Sequence, residues 1–530
     1  MGNPELNCTI QPMRQEVKTT SFSFHLPINP LTAVLIVITT ALLVRYLRNL
    51  YSIFERINLP GPKPKWVFGN IQDFRDKNPL DVFAAWRKKY GDVYGFFEGF
   101  RPSVVINDPE MARQVLVTHF DNFHVRPIYN PFVYYPDDRS LLNIFGEDWR
   151  QQRHVVSSVF NSASFKYMIS GMEHVSERLL QKVSEIESES PEGFNISLLL
   201  DRYVVDSFAY SGFDYDVDSL NNENAPLYRY MVEFNNSASA ENPATGLCRV
   251  YASLIPLLKV FDTKHREAAH VHLQEMRKLI TTQKEKITSD PDSNCRKNLL
   301  GQLMLHEYPV KDESGKVVCK RSLTDEEVIA HMNSLIGGGI STAGATLSFV
   351  LHQLAMNPHV EQQAYEYVLE HCGTDGLPDT STLKRLDFLE QIIKETLRLL
   401  PCAPGVARTC TNDCEINNVQ FKEGMLIRIM GCTLYSDPDI FPNPDVFDPK
   451  RFEASECEKR HTSLFLPFGQ GPRVCPGVKF AFLQLKVSLI KILQQFSIQK
   501  CSRTMDPLPT TLKPILCPME GVFVKLVRRK

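Results

Sequence analysis

The sequence predicts a mainly α-helical protein with small β-sheets, preceded by a single N-terminal transmembrane anchor. Helical hydrophobic patterns dominate the chain from residue 65 to residue 530. Short strand-like patterns occur at 93–98, 103–106, 414–420 and 426–429. The segment Phe24–Val44 is the only candidate for a membrane span in the sequence. Together these observations predict one large domain behind an anchor.

The predicted anchor, Phe24–Val44, meets the criteria of length and composition for a membrane span only in part. Its strictly apolar part, Leu31–Val44, is shorter than the ~20 residues that a bilayer requires, and Pro27 and Pro30 interrupt its start. A cleaved secretory signal is the alternative. About twenty polar residues precede the segment and no small-residue cleavage site follows it, which favours an uncleaved anchor.

The charges that flank the anchor predict its orientation. More basic residues follow the span than precede it: Arg45, Arg48, Arg56 and Lys63 against Arg14 and Lys18. The positive-inside rule then places residues 1–23 in the lumen and the C-terminal part in the cytosol, as in a single-pass protein of the endoplasmic reticulum membrane. Asn7 starts the one sequon that this topology exposes to glycosylation. Residues 45–64, basic and rich in proline, are expected to form a stiff hinge before one domain at 65–530.

Composition excludes several classes of function. The 59 Lys and Arg residues nearly balance the 61 Asp and Glu residues, so the chain lacks the basic footprint of a nucleic-acid-binding protein. The 13 cysteines are scattered, odd in number and form no C-x-x-C pair, which argues against a disulfide framework or a zinc site. We therefore expect the folded part in a reducing compartment.

The loop Phe468–Gly477, before the helical run 480–496, has the residues needed to present one cysteine thiolate, that of Cys475. A buried thiolate needs backbone N–H groups, a helix N-terminus and a nearby cation. Pro476, placed in a first helical turn with glycines around it, fits this arrangement. The alternative is a turn before a helix with a buried structural cysteine.

The other residues of this loop fit a haem iron as the partner of the thiolate. Gly471 and Gly477 lack Cβ atoms, so the backbone can lie close to a flat macrocycle. Arg473 can pair with a propionate, and Phe468 can shield the sulfur from water. The spaced pattern F-x-x-G-x-R-x-C-x-G resembles the haem-binding loop of the cytochrome P-450 family. That resemblance implies the P-450 fold, haem b as cofactor and Cys475 as its metal ligand.

Two motifs that contain charged residues lie upstream of the loop and extend the resemblance. Glu395 and Arg398 lie three residues apart in a helical stretch that ends at Pro401, so they share one helix face. Such pairs are usually solvent-exposed. Their order before Pro449–Phe452 and the cysteine loop resembles the E-x-x-R and P-x-R-F motifs of the family. The resemblance implies a buried network of Glu395, Arg398 and Arg451 with a structural and not a catalytic role.

Three more residues match positions that bind haem propionates in the family. Trp149 and Arg153 stand four residues apart, one helical turn from each other. Arg408 follows Pro401 where a third propionate partner is found. Arginine suits this role because its planar fork binds a carboxylate through two hydrogen bonds and keeps its charge. Without this context, Trp149 is equally well explained as a core residue.

A long helix is predicted from the capping box at Thr324 to Asn357. Three glycines, 337–339, stand in its middle, where each costs about 1 kcal/mol relative to alanine. They serve either close helix packing or open space over the haem. Alignment with the A-G-x-[D/E]-T motif of the family makes Thr342 the oxygen-activating threonine. Ser341 replaces the acid of that motif.

The segments 90–96, 253–257 and 464–469 look most like an animal clan of the family that includes hepatic steroid- and drug-oxidising enzymes and thromboxane synthase. The resemblance implies a monooxygenase that inserts one oxygen atom from dioxygen into an apolar small molecule, such as a steroid, fatty acid or xenobiotic.

Electrons would come from NADPH through a membrane-bound NADPH-cytochrome reductase, with a cytochrome b-type donor as a further partner. Basic residues proposed for reductase docking are Arg150, Lys459, Arg460 and Lys479. Aromatic residues proposed for the substrate pocket are Tyr129, Phe132, Tyr134 and Tyr135.

Two other functions stay open at this level. The first is a reductase-independent isomerase that acts on a lipid peroxide, as thromboxane synthase does. The absence of an acid at Ser341 favours it, and the presence of Thr342 opposes it. The second is a non-enzymatic haem or lipid carrier, which does not need a complete thiolate loop.

Overall fold

The protein is described by a computed structural model that covers residues 29–75, 77–127, 132–239, 242–251, 254–290, 294–311, 316–513 and 515–529. The chain divides into two units, the first ending at Leu50 and the second running from Tyr51 to Lys530. The predicted lumenal segment 1–23 with Asn7, and residues 24–28 of the predicted anchor, lie outside the described residues.

The described part of the first unit is almost entirely helix α1, whose bounds are Pro30–Tyr51 and whose last residue belongs to the second unit. Most of its apolar side chains are exposed, for example Leu31 and Val37, each with 67% of its surface accessible. Of the described helices, only α1 and the helix Asp325–Met356 are long and apolar enough to cross a membrane, and the second is mostly buried within the protein. Helix α1 is therefore the candidate anchor, and its helical conformation continues beyond Val44.

Helices form most of the second unit. They are α2 (Ile53–Arg56), α3 (Pro79–Tyr90), α4 (Pro109–Arg113), α5 (Gly146–Ser158), α6 (Ser162–Glu189), α7 (Ser197–Phe213), α8 (Pro226–Ala238), α9 (Pro243–Val250), α10 (Ile255–Leu258), α11 (Thr263–Ser289), α12 (Leu299–Leu305), α13 (Asp325–Met356), α14 (Pro358–Cys372), α15 (Thr380–Lys384), α16 (Asp387–Leu399), α17 (Ala454–Cys457) and α18 (Val478–Gln495). The prediction of a mainly helical protein is confirmed.

The strands form small sheets. They are β1 (Val93–Glu98), β2 (Arg101–Ile106), β3 (Phe194–Asn195), β4 (Tyr308–Lys311), β5 (Val317–Arg321), β6 (Val406–Thr409), β7 (Cys414–Ile416), β8 (Val419–Phe421), β9 (Leu426–Ile429), β10 (Phe496–Gln499), β11 (Thr510–Lys513), β12 (Ile515–Pro518) and β13 (Phe523–Arg528). The largest has the order β1-β2-β9-β6, with a parallel β2–β9 pair between two antiparallel pairs.

The predicted strand at 414–420 is a hairpin of β7 and β8. Its turn residues, Asn417 and Asn418, have φ angles of 50° and 63°. Asparagine tolerates this left-handed region, and two such residues in succession make the tight turn that joins antiparallel strands. The Asn-Asn pair was therefore the signal for a turn inside this segment.

Part of the predicted hinge at 45–64 is packed against strand β1. The carbonyl oxygen of Pro60 accepts a hydrogen bond from the backbone N–H of Gly95 at 2.8 Å. A Cβ atom on Gly61 would overlap the carbonyl oxygen of Gly95. Phe54 is buried, and its ring centroid lies 4.8 Å from that of Phe97. The compact unit therefore starts at Tyr51, ahead of the boundary expected at Lys65.

Helix α13 is the central element of the second unit. The capping box at its start is confirmed: the Glu327 N–H donates to Thr324 Oγ1 at 3.2 Å, and the Thr324 N–H donates to Glu327 Oε2 at 2.9 Å. The helix continues without a break through the three glycines and packs most closely on α7. It therefore forms a rigid support for the residues at 337–348.

Candidate functional site

The cysteine loop is closed by backbone contacts just before α18. The N–H of Cys475 donates to the carbonyl oxygen of Phe468 at 3.0 Å. Gly477 is the residue that caps α18, and its N–H points to the Cys475 thiol. The sequence predicted Pro476 in the first helical turn. In the structure Pro476 precedes the capping residue and lies outside the helix. The sulfur still lies at the positive end of a helix, which favours a thiolate.

Two opposing influences act on Cys475. Burial raises the pKa of the thiol, whereas the Gly477 N–H and the guanidinium groups of Arg153 and Arg126 lower it. Burial is the larger influence, so the protein alone favours the thiol. A bonded metal ion deprotonates such a group outright, and the nearby N–H and cations then stabilise the thiolate. This donor set fits a single iron–thiolate bond.

Gly471 has a packing role that the sequence did not predict. Its φ angle is 75°, and a Cβ atom would overlap the carbonyl oxygen of Leu116. The missing side chain thus allows the loop to pack against the segment before Phe120. At Gly477, a Cβ atom would lie 4.0 Å from the Cys475 sulfur, so this glycine does keep space beside the sulfur.

We expect Gly471→Ala to lower both stability and haem content. The left-handed φ angle costs an L-residue roughly 1–2 kcal/mol, and the overlap with a backbone atom adds to that cost. Gly424→Ala is the matched control, because Gly424 has a φ angle of 82° with nothing within 4 Å of a Cβ atom. Chemical unfolding and haem content per chain measure both. Equal losses in the two variants would show that the contact with Leu116 is unimportant.

Arginine side chains converge behind the loop. Arg473 donates from Nη1 and Nη2 to the carbonyl oxygens of Leu141 and Ile144, at 3.2 and 2.9 Å. Its guanidinium carbon lies 4.2 Å from the ring centroid of Trp149, a cation–π contact. Arg153 donates to the carbonyl oxygen of Val474 at 2.7 Å. Trp149 and Arg153 of α5 are thus joined to the cysteine loop.

Two further arginines complete this group. Arg126 donates to the carbonyl oxygen of Arg473 at 3.0 Å, and Arg408 of β6 is almost fully buried. Burial, with repulsion from Arg126, Arg408 and Arg153, lowers the pKa of Arg473 to about 9. Burial and Arg126 also lower the pKa of Arg153. The sequence did not identify Arg126: it precedes a proline, and nothing in its local pattern signals a functional arginine.

This concentration of positive charge calls for an anionic partner. Within the described part of the chain, no salt bridge is recorded for Arg126, Arg153 or Arg473. Arginine pairs with carboxylates through planar, two-point hydrogen bonds. The two propionates of haem b would neutralise the group on the same side of the protein as Cys475. The residues therefore fit haem.

The predicted network at Glu395 is formed in the structure. Arg398 donates from Nε and Nη2 to the two carboxylate oxygens of Glu395, both at 2.8 Å, and Arg451 Nε lies 3.3 Å from Glu395 Oε1. Arg398 also donates to the carbonyl oxygen of Tyr435 at 2.8 Å, and the Tyr435 hydroxyl accepts from the N–H of Leu466 at 3.0 Å. The ion pair is thus connected to the start of the cysteine loop.

The glycines of α13 serve two purposes. Nothing lies within 4 Å of a Cβ atom on Gly338, so this position faces open space. A Cβ atom on Gly339 would lie 3.3 Å from the Phe208 ring, which is a packing reason for glycine. Thr342 Oγ1 donates to the carbonyl oxygen of Gly338 at 2.7 Å. The threonine hydroxyl therefore lies next to the open position, and its oxygen can still accept a hydrogen bond.

Ser341 is held by the neighbouring helix α8. The side-chain Nδ2 of Asn235 donates to Ser341 Oγ at 2.9 Å. Ser341 and Asn235 also line one cavity of about 650 Å³ between α7, α8, α13 and the β11–β12 hairpin. Its wall combines apolar side chains, such as Met231 and Ile340, with polar ones, such as Asn235 and Ser341.

The aromatic residues expected in the pocket are divided among different environments. Phe132 is fully buried, whereas Tyr135 is 52% exposed. The Tyr134 hydroxyl donates to Asp262 Oδ2 at 3.0 Å. Tyr129 lies outside the described residues. Phe468 packs its ring 5.4 Å from that of Phe482 in α18. An aromatic run in sequence thus does not give a single aromatic wall.

A helical protein with one cysteine at a helix N-terminus and an arginine group beside it has the features of a haem-thiolate protein. The family model for cytochrome P450 matches residues 59–526. The chain belongs to the cytochrome P450 family, which indicates a haem-dependent monooxygenase.

Relatives support this assignment along the whole chain. The chain is 29% identical over 506 residues to cytochrome P450 3A6 of Oryctolagus cuniculus, covering 94% of this chain and 97% of the relative. It is 28% identical over 500 residues to cytochrome P450 3A28 of Bos taurus, covering 93% and 96%. It is 30% identical over 501 residues to cytochrome P450 3A31 of Mesocricetus auratus, covering 94% and 97%.

Proposed function

We propose that this protein is a membrane-anchored monooxygenase that inserts one oxygen atom from dioxygen into an apolar small molecule, such as a steroid, fatty acid or xenobiotic. The single observation that carries this proposal is Thr342 beside the open position at Gly338, on helix α13, which contacts the helix α18 that follows the cysteine loop. Haem b, bound through Cys475, supplies the redox chemistry that activates dioxygen. Two electrons from NADPH and two protons accompany each inserted oxygen, and the second oxygen leaves as water.

Three groups of residues are proposed to orient the cofactor, support the cysteine loop and transfer protons. Arg126, Arg153, Arg408 and Arg473 orient the cofactor through its carboxylates, with Trp149 packed on Arg473. Glu395, Arg398 and Arg451 keep the cysteine loop in place. Thr342 holds and passes a proton at its hydroxyl, and Ser341 contributes a second hydroxyl on the next position of the helix.

The electron donor is proposed to be an NADPH-dependent reductase in the same membrane, with a cytochrome b-type protein as a second donor. Arg150 and Lys459 have side chains that are 56% and 67% exposed, and Lys479 is exposed as well. Arg460 is withdrawn from this surface, because its guanidinium group packs over the rings of Phe441 and Phe452 and donates to the Arg451 carbonyl oxygen. Arg150 and Lys459 are paired at the surface with Asp121 and Glu456, so a reductase would have to exchange these salt bridges for its own.

The exposed apolar helix α1 supports a proposed localisation in the endoplasmic reticulum membrane. With the anchor in the endoplasmic reticulum membrane and the basic residues Arg45 and Arg48 on the cytosolic side, the catalytic unit lies in the cytosol with the reductase. The domain organisation proposed is a lumenal segment at 1–23, an anchor that starts at 24 and a haem-binding unit that follows it.

Turnover with and without reductase tests the function. Wild type in vesicles with reductase, NADPH and an apolar lipid extract should form oxygenated product, and Thr342→Ala should form about tenfold less product per NADPH consumed, because a hydroxyl that passes protons is lost. Thr346→Ala is the matched control: its hydroxyl lies one turn further on, donating to the carbonyl oxygen of Thr342 at 2.7 Å. Absence of reductase-driven product in wild type would refute the proposal.

The second candidate function is a reductase-independent isomerase of lipid peroxides. The observation that favours it is Ser341, where the family motif has an acid. A peroxide substrate needs no proton relay, so Thr342→Ala would retain full activity on a hydroperoxide without reductase. That result, combined with no NADPH-dependent product, would establish the isomerase.

A further inference from the structure

The cavity beside Ser341 contains an acidic side chain that the site described so far does not use. Its volume is about 650 Å³ and its wall includes the side chains of Asp201, Asn235, Asn236, Ser239, Ser341 and Ser348. Amide and hydroxyl groups at this density hold water in hydrogen bonds, and a cavity of this size has room for many molecules. The cavity therefore has polar groups and enough space for water along one side of α13.

Asp201 projects from α7 directly against α13. A Cβ atom on Gly344 would overlap the carboxyl group of Asp201, so the glycine at this position provides the space that the carboxyl occupies. Within the described residues, Asp201 forms no hydrogen bond or salt bridge, and burial is the only influence on its pKa. By surface area Asp201 is only half-buried, but the protein packed around its carboxyl raises its pKa to about 7. Near neutral pH this carboxyl both holds and releases a proton.

The spacing on α13 connects this carboxyl to the site. Ser341, Gly344 and Ser348 follow one another at intervals of three and four residues, so they share one face of the helix. Thr342 is the next residue after Ser341 and turns by about 100° from it, toward the face where Thr346 contacts Cys402. Ser341 Oγ accepts from Asn235, which leaves its own O–H to act as a donor. Ser341 therefore lies on the face of Gly344 and Ser348, and Thr342 is its neighbour in the sequence on the adjoining face.

We propose that Asp201 is the proton-donating carboxyl of this site, reaching Ser341 and Thr342 through the cavity and replacing the acid that position 341 lacks. This inference rests on the proposed monooxygenase function. The family motif has its acid on α13, whereas this chain would use an acid on α7. The missing side chain of Gly344 leaves the space that the Asp201 carboxyl occupies.

Each proton that leaves Asp201 for the site is replaced by one from solvent. Asp201 releases its proton to cavity water, and the Ser341 hydroxyl accepts a proton from that chain while passing its own toward Thr342. Two such transfers accompany the two electrons that NADPH supplies for each dioxygen. Asp201 takes up a proton again from solvent through the open side of the cavity. No other oxidant or acid is required.

Few other charged groups face this carboxyl. Lys513 of β11 and Glu520, between β12 and β13, line the same cavity, and Tyr228 of α8 is the one phenol in its wall. Arg202, the next residue on α7, points to Glu223, with Nη2 2.5 Å from the carboxylate. The pKa of Asp201 is raised by burial alone, so none of these groups dominates it.

The first test measures stability, independent of catalysis. A carboxyl with a pKa raised from 3.8 to about 7 stabilises the fold fully below the unfolded value, and this contribution is lost as pH rises through 7. Asp201→Asn removes the ionised group, so its advantage over wild type in chemical unfolding should grow from pH 5 to pH 8. Asp216→Asn is the control, because Asp216 pairs with Arg178 at the surface. A pH-independent difference for Asp201→Asn would overturn the assignment.

The second test measures how efficiently NADPH is used. In the full-length, haem-loaded protein with reductase, Asp201→Asn should lower product per NADPH about tenfold and raise peroxide release, because the donor is lost. In wild type the ratio should fall as pH rises through about 7, and in Asp201→Asn this pH dependence should disappear. Ser341→Glu should restore the ratio in the Asp201→Asn protein by returning the acid to α13.

The outcomes separate the two proposals. No reductase-driven product in wild type contradicts the monooxygenase function itself. Normal wild-type product, with the same coupling and pH profile in Asp201→Asn, leaves the monooxygenase in place and overturns the role of Asp201. Loss of coupling without a change in pH profile and without rescue by Ser341→Glu also overturns it, since that pattern indicates only a structural role.

Discussion

Replacing Arg398 with alanine is expected to give protein that is largely free of haem and destabilised by about 3–5 kcal/mol, because Glu395 then keeps a buried charge without its partner. The side chains of both residues are almost completely buried, and Arg398 holds the carbonyl oxygens of Tyr435 and Pro444 as well. Haem content per chain and unfolding in denaturant measure the effect.

Lys394→Ala is the matched control for Arg398→Ala. Lys394 lies on the same helix and pairs with Glu390 at 2.9 Å, but both side chains are only partly buried and Glu390 would keep Lys486 as a partner at 2.9 Å. Its loss should cost at most about 1 kcal/mol and leave haem content unchanged. If Arg398→Ala behaved like Lys394→Ala, the buried network would not be needed for the fold.

Replacing Cys475 with histidine is expected to abolish the thiolate signature of the haem while leaving room for the cofactor. Imidazole is neutral and a weaker electron donor, so the spectrum of the reduced, carbon monoxide-bound protein should lose its red-shifted Soret band. Monooxygenase turnover should fall to background, because the sulfur supplies the electron density that favours cleavage of the O–O bond.

The same substitution at an exposed cysteine provides the control. Cys457 lies in α17 on the surface, so Cys457→His should keep the thiolate-type spectrum and full turnover. A thiolate-type band that survives in Cys475→His would remove Cys475 as the ligand. That result would not bear on the arginine group, because the proposed pairing of these arginines with the haem propionates does not depend on the sulfur.

Local motifs were predictable because their residues act within one turn or one helix. Thr324 and Glu327 cap α13 from three residues apart, and strand β1 was predicted at its observed bounds. The cysteine loop was predictable for the same reason, since Cys475, Phe468 and Gly477 contact one another within ten residues of sequence. These contacts form wherever the local chain adopts its preferred conformation.

Contacts between distant segments were not predictable from these patterns. The contact of Gly471 with Leu116 was not predicted, and neither was the packing of part of the expected hinge on β1 through Gly61. Arg126 joins the arginine group from a loop far from Arg473 in sequence. Each of these contacts depends on how separate elements pack, which no local pattern encodes.

By itself, the sequence determined the helical class, the haem-thiolate family and the residues of its local motifs, because periodicity, capping and the cysteine loop are properties of short segments. The tertiary structure alone decided which charges are buried and what they meet. Asp201 is an ordinary helix residue in sequence, and only the packing of α7 on α13 at Gly344 places its carboxyl in the cavity beside Ser341. Burial, which changes a side chain's chemistry, is set by the whole fold.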